Sequence, residues 1–184
     1  MLARNAFNFF VGHLNSTPGN YLEIGVYNGD GCFELANRFK DKKIFCIDPF
    51  LEDGYTTHIS GVKKGNTLIN QRTKALEFFS QCENINFFET TSLDFFNKLT
   101  DADVELYNIA SVYNDGDHSH EGASIDYKLA MTVIGNKAGV IVFDDTNLPG
   151  VISAINNFKI EYSSRIESLN ELNSVVFVRI KKYE

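Results

Sequence analysis

The sequence contains no tryptophan, only three prolines and only three cysteines, and it lacks any long hydrophobic run. The cysteines, Cys32, Cys46 and Cys82, are far apart and form no C-x-x-C pair, which argues against a zinc knuckle or a disulfide framework. No apolar stretch approaches the ~20 residues that cross a bilayer, and the first residues lack the pattern of a secretory signal. We therefore expect a soluble, cytoplasmic protein without a membrane partner.

Basic residues are also in short supply. The chain has 17 lysines and arginines against 24 acidic residues, a formal net charge of -7. Surfaces that bind phosphate backbones gain affinity from Lys and Arg side chains that displace counterions. The balance therefore argues against a nucleic-acid partner. At 184 residues, with 43% hydrophobic and 22% charged residues, the composition is that of one globular domain.

Two hydrophobic periods alternate along the chain. Helical spacing predicts helices at residues 3–14, 32–39, 68–79, from 93, 125–133 and 151–158. Short apolar runs predict strands at residues 21–26, 44–47, 85–88, 104–113 and 139–143. Two further strands, at 160–166 and 174–180, follow one another and predict a hairpin. Since strands separated by helices pair in parallel, we expect a doubly wound α/β sheet with a C-terminal antiparallel hairpin.

Residues 50–66, which include His58, show no clear period and predict an irregular loop beside the site. In open sheets of this kind, ligands bind beyond the carboxyl ends of the strands. The segments that directly follow each predicted strand are therefore the candidates for function.

The first two predicted strands are followed by residues suited to a nucleoside. Gly25 and Gly29 would let a ligand approach the backbone because they carry no Cβ. Their spacing, G-x-x-x-G-x-G, differs from the G-x-G-x-x-G of dinucleotide-binding enzymes. Asp48 stands where a carboxylate commonly accepts hydrogen bonds from a ribose diol. A glycine turn without a ligand and a solvated Asp48 are the alternatives.

Ser92 follows the third predicted strand. Its hydroxyl would either contact an adenine edge or cap the helix that begins near Leu93.

Polar residues are densest after the fourth and fifth predicted strands, where we single out Asp115, Asp117, His118, His120, Asp144 and Asp145. Carboxylates at this density need a cation, protons or aligned donors, because like charges repel. Mg²⁺ is the simplest such cation. His118 or His120 could serve as general base, since histidine titrates near neutral pH. The alternative is helix capping, by Ser119 for the fifth predicted helix and by Asp145 or Thr146 for the sixth.

These segments resemble the class I S-adenosylmethionine-dependent methyltransferases, in the branch of bacterial small-molecule O-methyltransferases. Residues 21–31 resemble the E-x-G-x-x-x-G cofactor motif of that family. Residues 115–126 resemble its I-D-G-D-H-S-Y-E-G…D segment, and residues 139–151 its G-G-V-I-x-x-D-D-T…P-G-V segment. The chain departs from the family at Asn114, which is usually apolar, at Ser92, which is often acidic, and at Lys137-Ala138, where a Gly-Gly pair is usual.

The resemblance implies a Rossmann-like sheet of seven strands with the last one inserted antiparallel. It implies one methyltransferase domain over 1–184, with an N-terminal helix and linker at 1–18, a cofactor-binding core at 19–160 and terminal strands at 161–184. The cofactor would be S-adenosylmethionine, and its expected contacts are Glu23, Gly25, Tyr27, Gly29, Asp48, Ser92 and Asp115.

The resemblance also implies a site for Mg²⁺ at Asp115, Asp144 and Asp145. Asp117, His118 and His120 form the expected catalytic group, and the acceptor would be a hydroxyl of a small molecule. A second copy of the chain could complete the acceptor pocket. A nicotinamide-dependent oxidoreductase and a non-catalytic nucleoside-binding protein of the same fold are the competing interpretations.

Overall fold

The computed structural model describes residues 4–50 and 66–183, and it describes the side chains of residues 9–50 and 71–183. The predicted loop at 50–66, with His58, lies outside the described residues except for its two ends.

One sheet of seven strands organises the described part of the chain. Its strands are β1 (Asn20–Ile24), β2 (Ile44–Ile47), β3 (Ile85–Phe88), β4 (Ile109–Asn114), β5 (Gly139–Phe143), β6 (Ile166–Leu172) and β7 (Val175–Ile180). They lie in the order β3-β2-β1-β4-β5-β7-β6. The first five strands pair in parallel, whereas β7 pairs antiparallel with both β5 and β6. The predicted fold, including the inserted antiparallel strand, is confirmed.

Helices cover both faces of this sheet. They are α1 (Arg4–Ser16), α2 (Asp30–Arg38), α3 (Asn66–Phe79), α4 (Ser92–Lys98), α5 (Asp101–Tyr107), α6 (His120–Ile134) and α7 (Pro149–Glu161). Side chains of α1, α2 and α3 pack on one face, around Phe10, Leu35 and Phe79. Side chains of α4, α6 and α7 pack on the other face, around Leu129 and Phe158. No helix in the described part of the chain is both long and apolar enough to cross a membrane.

Strands β2, β3 and β5 begin and end where the sequence predicts them. Their residues form short apolar runs, and the residues of β2 and β5 are buried along their whole length, as expected for parallel strands covered on both faces.

The fourth strand, which the sequence predicts within the range 104–113, occupies only the second half of that range and ends one residue beyond it. Residues 104–107 belong to α5, because Thr100 and Asp103 form a capping box that starts a helix there. Asn108 ends this helix in a left-handed conformation with a φ of 45°, and β4 begins at Ile109. A strong local cap therefore outweighs the strand-like pattern around Val104.

Two further boundaries and two caps differ from the predictions. The strand expected at 160–166 lies at 166–172, because α7 continues to Glu161, and β1 ends at Ile24 rather than at residue 26. The N-cap of α4 is Thr91, whose hydroxyl accepts the backbone N–H of Asp94, and not Ser92. Neither Asp145 nor Thr146 caps α7, whose N-cap residue is Leu148. Ser119 does cap α6, by accepting the backbone N–H of Gly122.

The carboxyl ends of β1, β2, β4 and β5 lie on one edge of the sheet, which we call the carboxyl edge. The turn between β6 and β7 lies on the same edge, because the backbone N–H of Thr146, just after β5, donates to the carbonyl of Ser174 at 2.9 Å. The topology therefore brings the segments after four parallel strands together with the hairpin turn.

Candidate active site

The glycines after β1 are required by contacts within the chain. Gly25 has a φ of 80°, and a Cβ at this position would collide with the carbonyl oxygen of Asp115. Gly29 has a φ of 79°, and a Cβ there would lie 3.0 Å from the Cα of Ala75 on α3. Both positions also favour glycine because other residues rarely adopt such φ values. The expected contact of these glycines with a cofactor stays a prediction.

Asp48 organises the loop that follows β1. Its carboxylate accepts the backbone N–H groups of Val26 at 2.9 Å, Tyr27 at 3.2 Å and Phe50 at 2.8 Å, and only 4% of the residue is exposed. Burial raises the pKa of Asp48, and the three backbone hydrogen bonds act against that rise. These bonds hold Tyr27 in a left-handed conformation with its side chain largely exposed beside the carboxyl edge. Asp48 thus shapes the loop, while its bond to a ribose stays a prediction.

Glu23 lies buried beneath the same loop. Its carboxylate accepts hydrogen bonds from the Tyr21 hydroxyl at 2.9 Å and from the Cys32 thiol at 3.0 Å. Burial raises the pKa of Glu23 to about 7, against the effect of those two hydrogen bonds. Gly31, in the first turn of α2, leaves the room that this carboxylate occupies, since a Cβ there would come within 3.3 Å of it.

Asp115, His118 and Asp145 converge at the carboxyl edge. The Nε2 atom of His118 lies 3.4 Å from an oxygen of Asp115 and 3.4 Å from an oxygen of Asp145. One ligand atom from each of the three lies within 4.8 Å of the others, so the group could hold a metal ion. Each of these side chains is between a third and a half exposed, so solvent and a small ligand can reach the group.

The charges of this group act on one another. Burial raises the pKa of Asp115 to about 6, although its hydrogen bond with His118 lowers it. That same hydrogen bond raises the pKa of His118 above its usual 6.5, and burial opposes the rise. The two carboxylates therefore favour the imidazolium form, which suits His118 to accept and hold a proton.

Asp144, the third predicted metal ligand, turns away from this group. One of its oxygens accepts the hydroxyl of Tyr113, and the other accepts the backbone N–H of Asp145 at 2.8 Å. Burial, followed by the nearby charge of Asp144, raises the pKa of Tyr113 far above its ordinary value, so Tyr113 remains a donor. Among the described residues, the three side chains that could hold a metal ion are therefore Asp115, His118 and Asp145, whereas the sequence analysis predicted Asp144 instead of His118.

Two residues of the predicted catalytic group lie apart from it. Asp117 is exposed, and its carboxylate accepts the backbone N–H and the hydroxyl of Ser119 at 2.9 and 3.0 Å, so it supports the start of α6. His120 is exposed on the first turn of α6, where its ring faces Asn157 of α7 at 3.4 Å. Of the two candidate bases, the structure brings only His118 together with the carboxylates.

Ser92 lies beside a buried carboxylate that the sequence analysis left without a role. Asp126, on α6, is 1% exposed, and burial raises its pKa to about 7 while a hydrogen bond with Ser92 lowers it. Asp126 also packs against Gly116, where a Cβ would come within 2.7 Å of its carboxylate. Asp126 therefore joins the loop after β3 to the loop after β4.

Asn114 ends β4 between β1 and β5, and both polar atoms of its buried amide lack a partner. An unpaired buried amide is costly, and here it lies at the edge where doubly wound sheets bind their ligands. The site thus fits a polar ligand beside Asp115.

The sequence analysis missed Tyr113, and it gave no role to Asp126, which it included only as the last residue of the 115–126 motif. Alternation along β4 and β5 could have placed Tyr113 and Asp144 on one face of the sheet, but only with the correct boundary of β4. The motif match singled out Asp126 but could not show its neighbour Ser92, which lies on another loop.

A mostly parallel seven-stranded sheet with an inserted antiparallel strand, and with carboxylates at its carboxyl edge, defines the Rossmann-like class I methyltransferase fold. Residues 22–146 match the family described as "Methyltransferase domain". The chain belongs to this family, and it is an S-adenosylmethionine-dependent methyltransferase. The competing interpretations as an oxidoreductase or a non-catalytic binding protein are thereby set aside. No curated protein matches the sequence.

Solved structures show the same fold at low sequence identity. The O-methyltransferase NovP has a TM-score of 0.68 at 16% identity, covering 97% of this chain and 79% of NovP. A putative caffeoyl-CoA O-methyltransferase from Staphylococcus aureus has a TM-score of 0.67 at 13% identity, covering 98% of this chain and 85% of that protein. MycE methyltransferase, from the mycinamycin biosynthetic pathway and solved with Mg and SAH, has a TM-score of 0.56 at 15% identity, covering 95% of this chain and 47% of MycE.

Proposed function

We propose that the protein transfers the methyl group of S-adenosylmethionine to a hydroxyl group of a small molecule. The observation that carries the proposal is the convergence of Asp115, His118 and Asp145 at the carboxyl edge. The loop from Gly25 to Gly29, which follows β1, lies at this same edge. A hydroxyl is a poor nucleophile while it keeps its proton, and an imidazole flanked by two carboxylates is suited to remove it. The similarity to NovP, an O-methyltransferase, agrees with this reaction class.

Each residue has a role in this scheme. The loop from Gly25 to Gly29, held by Asp48, would bind the methionine part of the cofactor beside Glu23, with the ribose near Asp48 and the adenine near Ser92 and Tyr27. The Nε2 atom of His118 would take the proton of the acceptor hydroxyl. Asp115 and Asp145 would then stabilise the imidazolium, at 3.4 Å each.

A divalent cation such as Mg²⁺ is part of the proposal. Asp115 and Asp145 would hold it, with waters in its remaining positions, so that the Nε2 atom of His118 stays free to accept the proton. When bound, the ion would lower the pKa of the acceptor hydroxyl and orient it. Carboxylates are ligands that Mg²⁺ prefers, and the exposure of this group leaves room for the waters that Mg²⁺ retains. MycE, a protein of the same fold, was solved with Mg.

The test measures binding and transfer separately. Calorimetry with S-adenosylmethionine, its demethylated product and NAD, each with and without Mg²⁺, should show binding of the first two only. Release of the demethylated product in the presence of phenols, catechols and sugar hydroxyls then tests acceptor class, with amines and thiols as controls. Transfer to amines or thiols but to no hydroxyl would contradict the proposal.

Chelator treatment tests the cation. Loss of transfer in excess chelator, with recovery on adding Mg²⁺ or Mn²⁺, is the expected result. Full activity in excess chelator would remove the cation from the proposal and leave His118 as the group that handles the proton.

A further inference from the structure

We propose that Tyr113 is a positioning residue of this site, whose hydroxyl fixes Asp144 and through it the turn that places Asp145 opposite His118. The proposal rests on the proposed function for its meaning in catalysis. The hydroxyl of Tyr113 donates to Asp144, so its action passes through Asp144 and Asp145.

The sheet brings Tyr113 and Asp144 together. β4 and β5 are parallel neighbours, and Tyr113 is paired with Val142. Tyr113 and Val142 both pack on the face that α1, α2 and α3 cover. Because side chains alternate along a strand, Asp144, two residues after Val142, is directed to this same face. The alternation thus explains why Asp144 meets the Tyr113 hydroxyl instead of joining Asp115.

Asp144 then fixes the position of Asp145. With one oxygen held by the Tyr113 hydroxyl, its other oxygen accepts the backbone N–H of Asp145 at 2.8 Å. Asp145 adopts a left-handed conformation, with a φ of 50°, which is uncommon for residues other than glycine although aspartate adopts it more readily than most. In this conformation an oxygen of Asp145 lies 3.4 Å from the Nε2 atom of His118.

Tyr113 is itself held firmly enough to serve as an anchor. It is 5% exposed, and the ring of Phe10 on α1 packs against it with ring centroids 5.7 Å apart. The contacts therefore run from Tyr113 in the packed core, through the carboxylate of Asp144, to the turn at the carboxyl edge that carries Asp145. A side chain that is rigid at one end and hydrogen-bonded at the other can hold such a turn in place.

Tyr113→Phe removes the hydroxyl and leaves the ring, so packing against Phe10 is retained. We expect kcat to fall at least ~10-fold while the KM for S-adenosylmethionine changes less than ~2-fold, since a small misplacement of a reacting group is enough for such a loss. The matched control is Tyr127→Phe. Tyr127 is 2% exposed, and its hydroxyl donates at 3.1 Å to Glu161, at the end of α7. This control should change neither constant.

A second readout does not depend on activity. The ring ¹H–¹⁵N resonances of His118, assigned among the four histidines of the chain and recorded at one fixed pH, report the position of Asp145. Tyr113→Phe and Asp144→Ala should shift them in the same direction, Tyr127→Phe should leave them in place, and adding Tyr113→Phe to Asp144→Ala should cause no further change.

Several outcomes would overturn the proposal. Wild-type resonances of His118 in Tyr113→Phe would do so, as would additive effects of the Tyr113 and Asp144 substitutions. If Tyr113→Phe fails to fold, wild-type His118 resonances in Asp144→Ala would overturn it as well. If the wild-type protein methylates no hydroxyl, the proposed function fails, whereas the NMR comparison still decides whether Tyr113 positions the turn.

Discussion

Polar side chains differ between the two edges of the sheet, the one where the parallel strands begin and the one where they end. At the edge where the parallel strands begin, which we call the amino edge, side chains donate to backbone carbonyls at the ends of helices and in the adjoining turns. The amide of Asn84 donates to the carbonyls of Ala36, Phe39 and Lys42 at 3.0–3.1 Å. The guanidinium of Arg165 donates to three further carbonyls at 2.9–3.1 Å. Both donor groups therefore have carbonyl acceptors within hydrogen-bonding distance.

At the carboxyl edge, acceptors outnumber donors. Glu23, Asp48, Asp115 and Asp126 all lie at or just behind this edge, and burial raises the pKa of each one. Left-handed conformations also concentrate there. Among the described residues other than glycine, four adopt them at the carboxyl edge, namely Tyr27, Phe50, Asp145 and Asn173, and Asn108 adopts one just before β4 begins. Such a region costs folding free energy, and proteins retain this cost where function needs it. The amino edge thus stabilises the fold, whereas the carboxyl edge carries the residues for which we propose a role in the reaction.

The largest expected effect concerns His118. His118→Gln should lower kcat by ~10² or more, because it removes the only histidine that contacts the carboxylates among the described residues. His120→Gln is the matched control, and it should retain activity because His120 faces Asn157. Stopped assays at saturating cofactor would measure both.

The pH dependence gives a further check on His118. The neutral form is the base, and the carboxylates raise its pKa above 6.5, so kcat should fall as pH drops through a value above 6.5. If His118→Gln and His120→Gln lowered kcat equally, the distinction we draw between the roles of the two histidines would be wrong.

The next effect concerns the amino edge. Asn84→Ala removes the amide that donates to three carbonyls, and it should lower the free energy of unfolding by about 2–3 kcal/mol. Asn37→Ala, which removes two exposed side-chain bonds, one to the carbonyl of Phe33 and one from the ammonium of Lys40, should cost much less. Urea denaturation would measure both variants. Turnover per folded molecule should stay at the wild-type level, and a loss of turnover without a loss of stability would break the division between the edges.

A smaller effect concerns pH and stability. A carboxyl whose pKa is raised by folding binds its proton more tightly in the folded state, so stability falls as pH rises from the ordinary pKa to the folded one. For Asp126 this window runs from 3.8 to about 7, and for Glu23 from 4.5 to about 7. We therefore expect the protein to lose stability as the pH rises from about 4 to about 7, at roughly 1 kcal/mol per pH unit for each of the two groups.

Asp126→Asn tests the source of that loss. The substitution should flatten the pH dependence of the unfolding free energy, whereas Asp41→Asn, at an exposed position, should leave it unchanged. An unchanged slope in Asp126→Asn would show that Asp126 titrates alike in the folded and unfolded chains.

The smallest effect concerns Asp117. Because its carboxylate bonds only to Ser119 in the described structure, Asp117→Ala should cost about 1 kcal/mol of stability through a weaker start of α6. We expect kcat to change less than ~3-fold, as judged against the loss that a general base would cause. A much larger loss of kcat would move Asp117 into the catalytic group, as its sequence context predicts.

The sequence predicts the fold well because its signals are local and repeated. Apolar runs locate β2, β3 and β5 to the residue, and the alternation of strands with helices is sufficient for the parallel topology. The failures occur where a local bond competes with the pattern. The capping box of Thr100 turns the start of the predicted fourth strand into a helix, and the continuation of α7 shifts the next strand.

The sequence predicts which residues lie near one another in the site, but not which contacts their side chains make. Motif spacing places Asp115, His118 and Asp145 on one edge, but it cannot say which oxygens remain free. The hydroxyl of Tyr113 and the backbone N–H of Asp145 occupy Asp144, and backbone N–H groups occupy Asp48. The bond between Tyr27 and Asp48 joins residues 21 apart in sequence, and the bond between Tyr113 and Asp144 joins residues 31 apart, so only the folded chain reveals them.

The antiparallel insertion of β7 also bears on how the protein is made. Ribosomal synthesis completes β5 while its apolar stretch, Gly139–Phe143, still lacks a neighbour on one side, since β7 comes later in the chain. An unpaired apolar edge strand invites pairing with other chains. When β7 is added, it pairs with β5 along its open side, and β6 becomes the outermost strand of the sheet. The charged side chains of Glu167 and Glu171 are exposed on β6. The last hairpin to emerge thus converts an aggregation-prone intermediate into a sheet with a charged border.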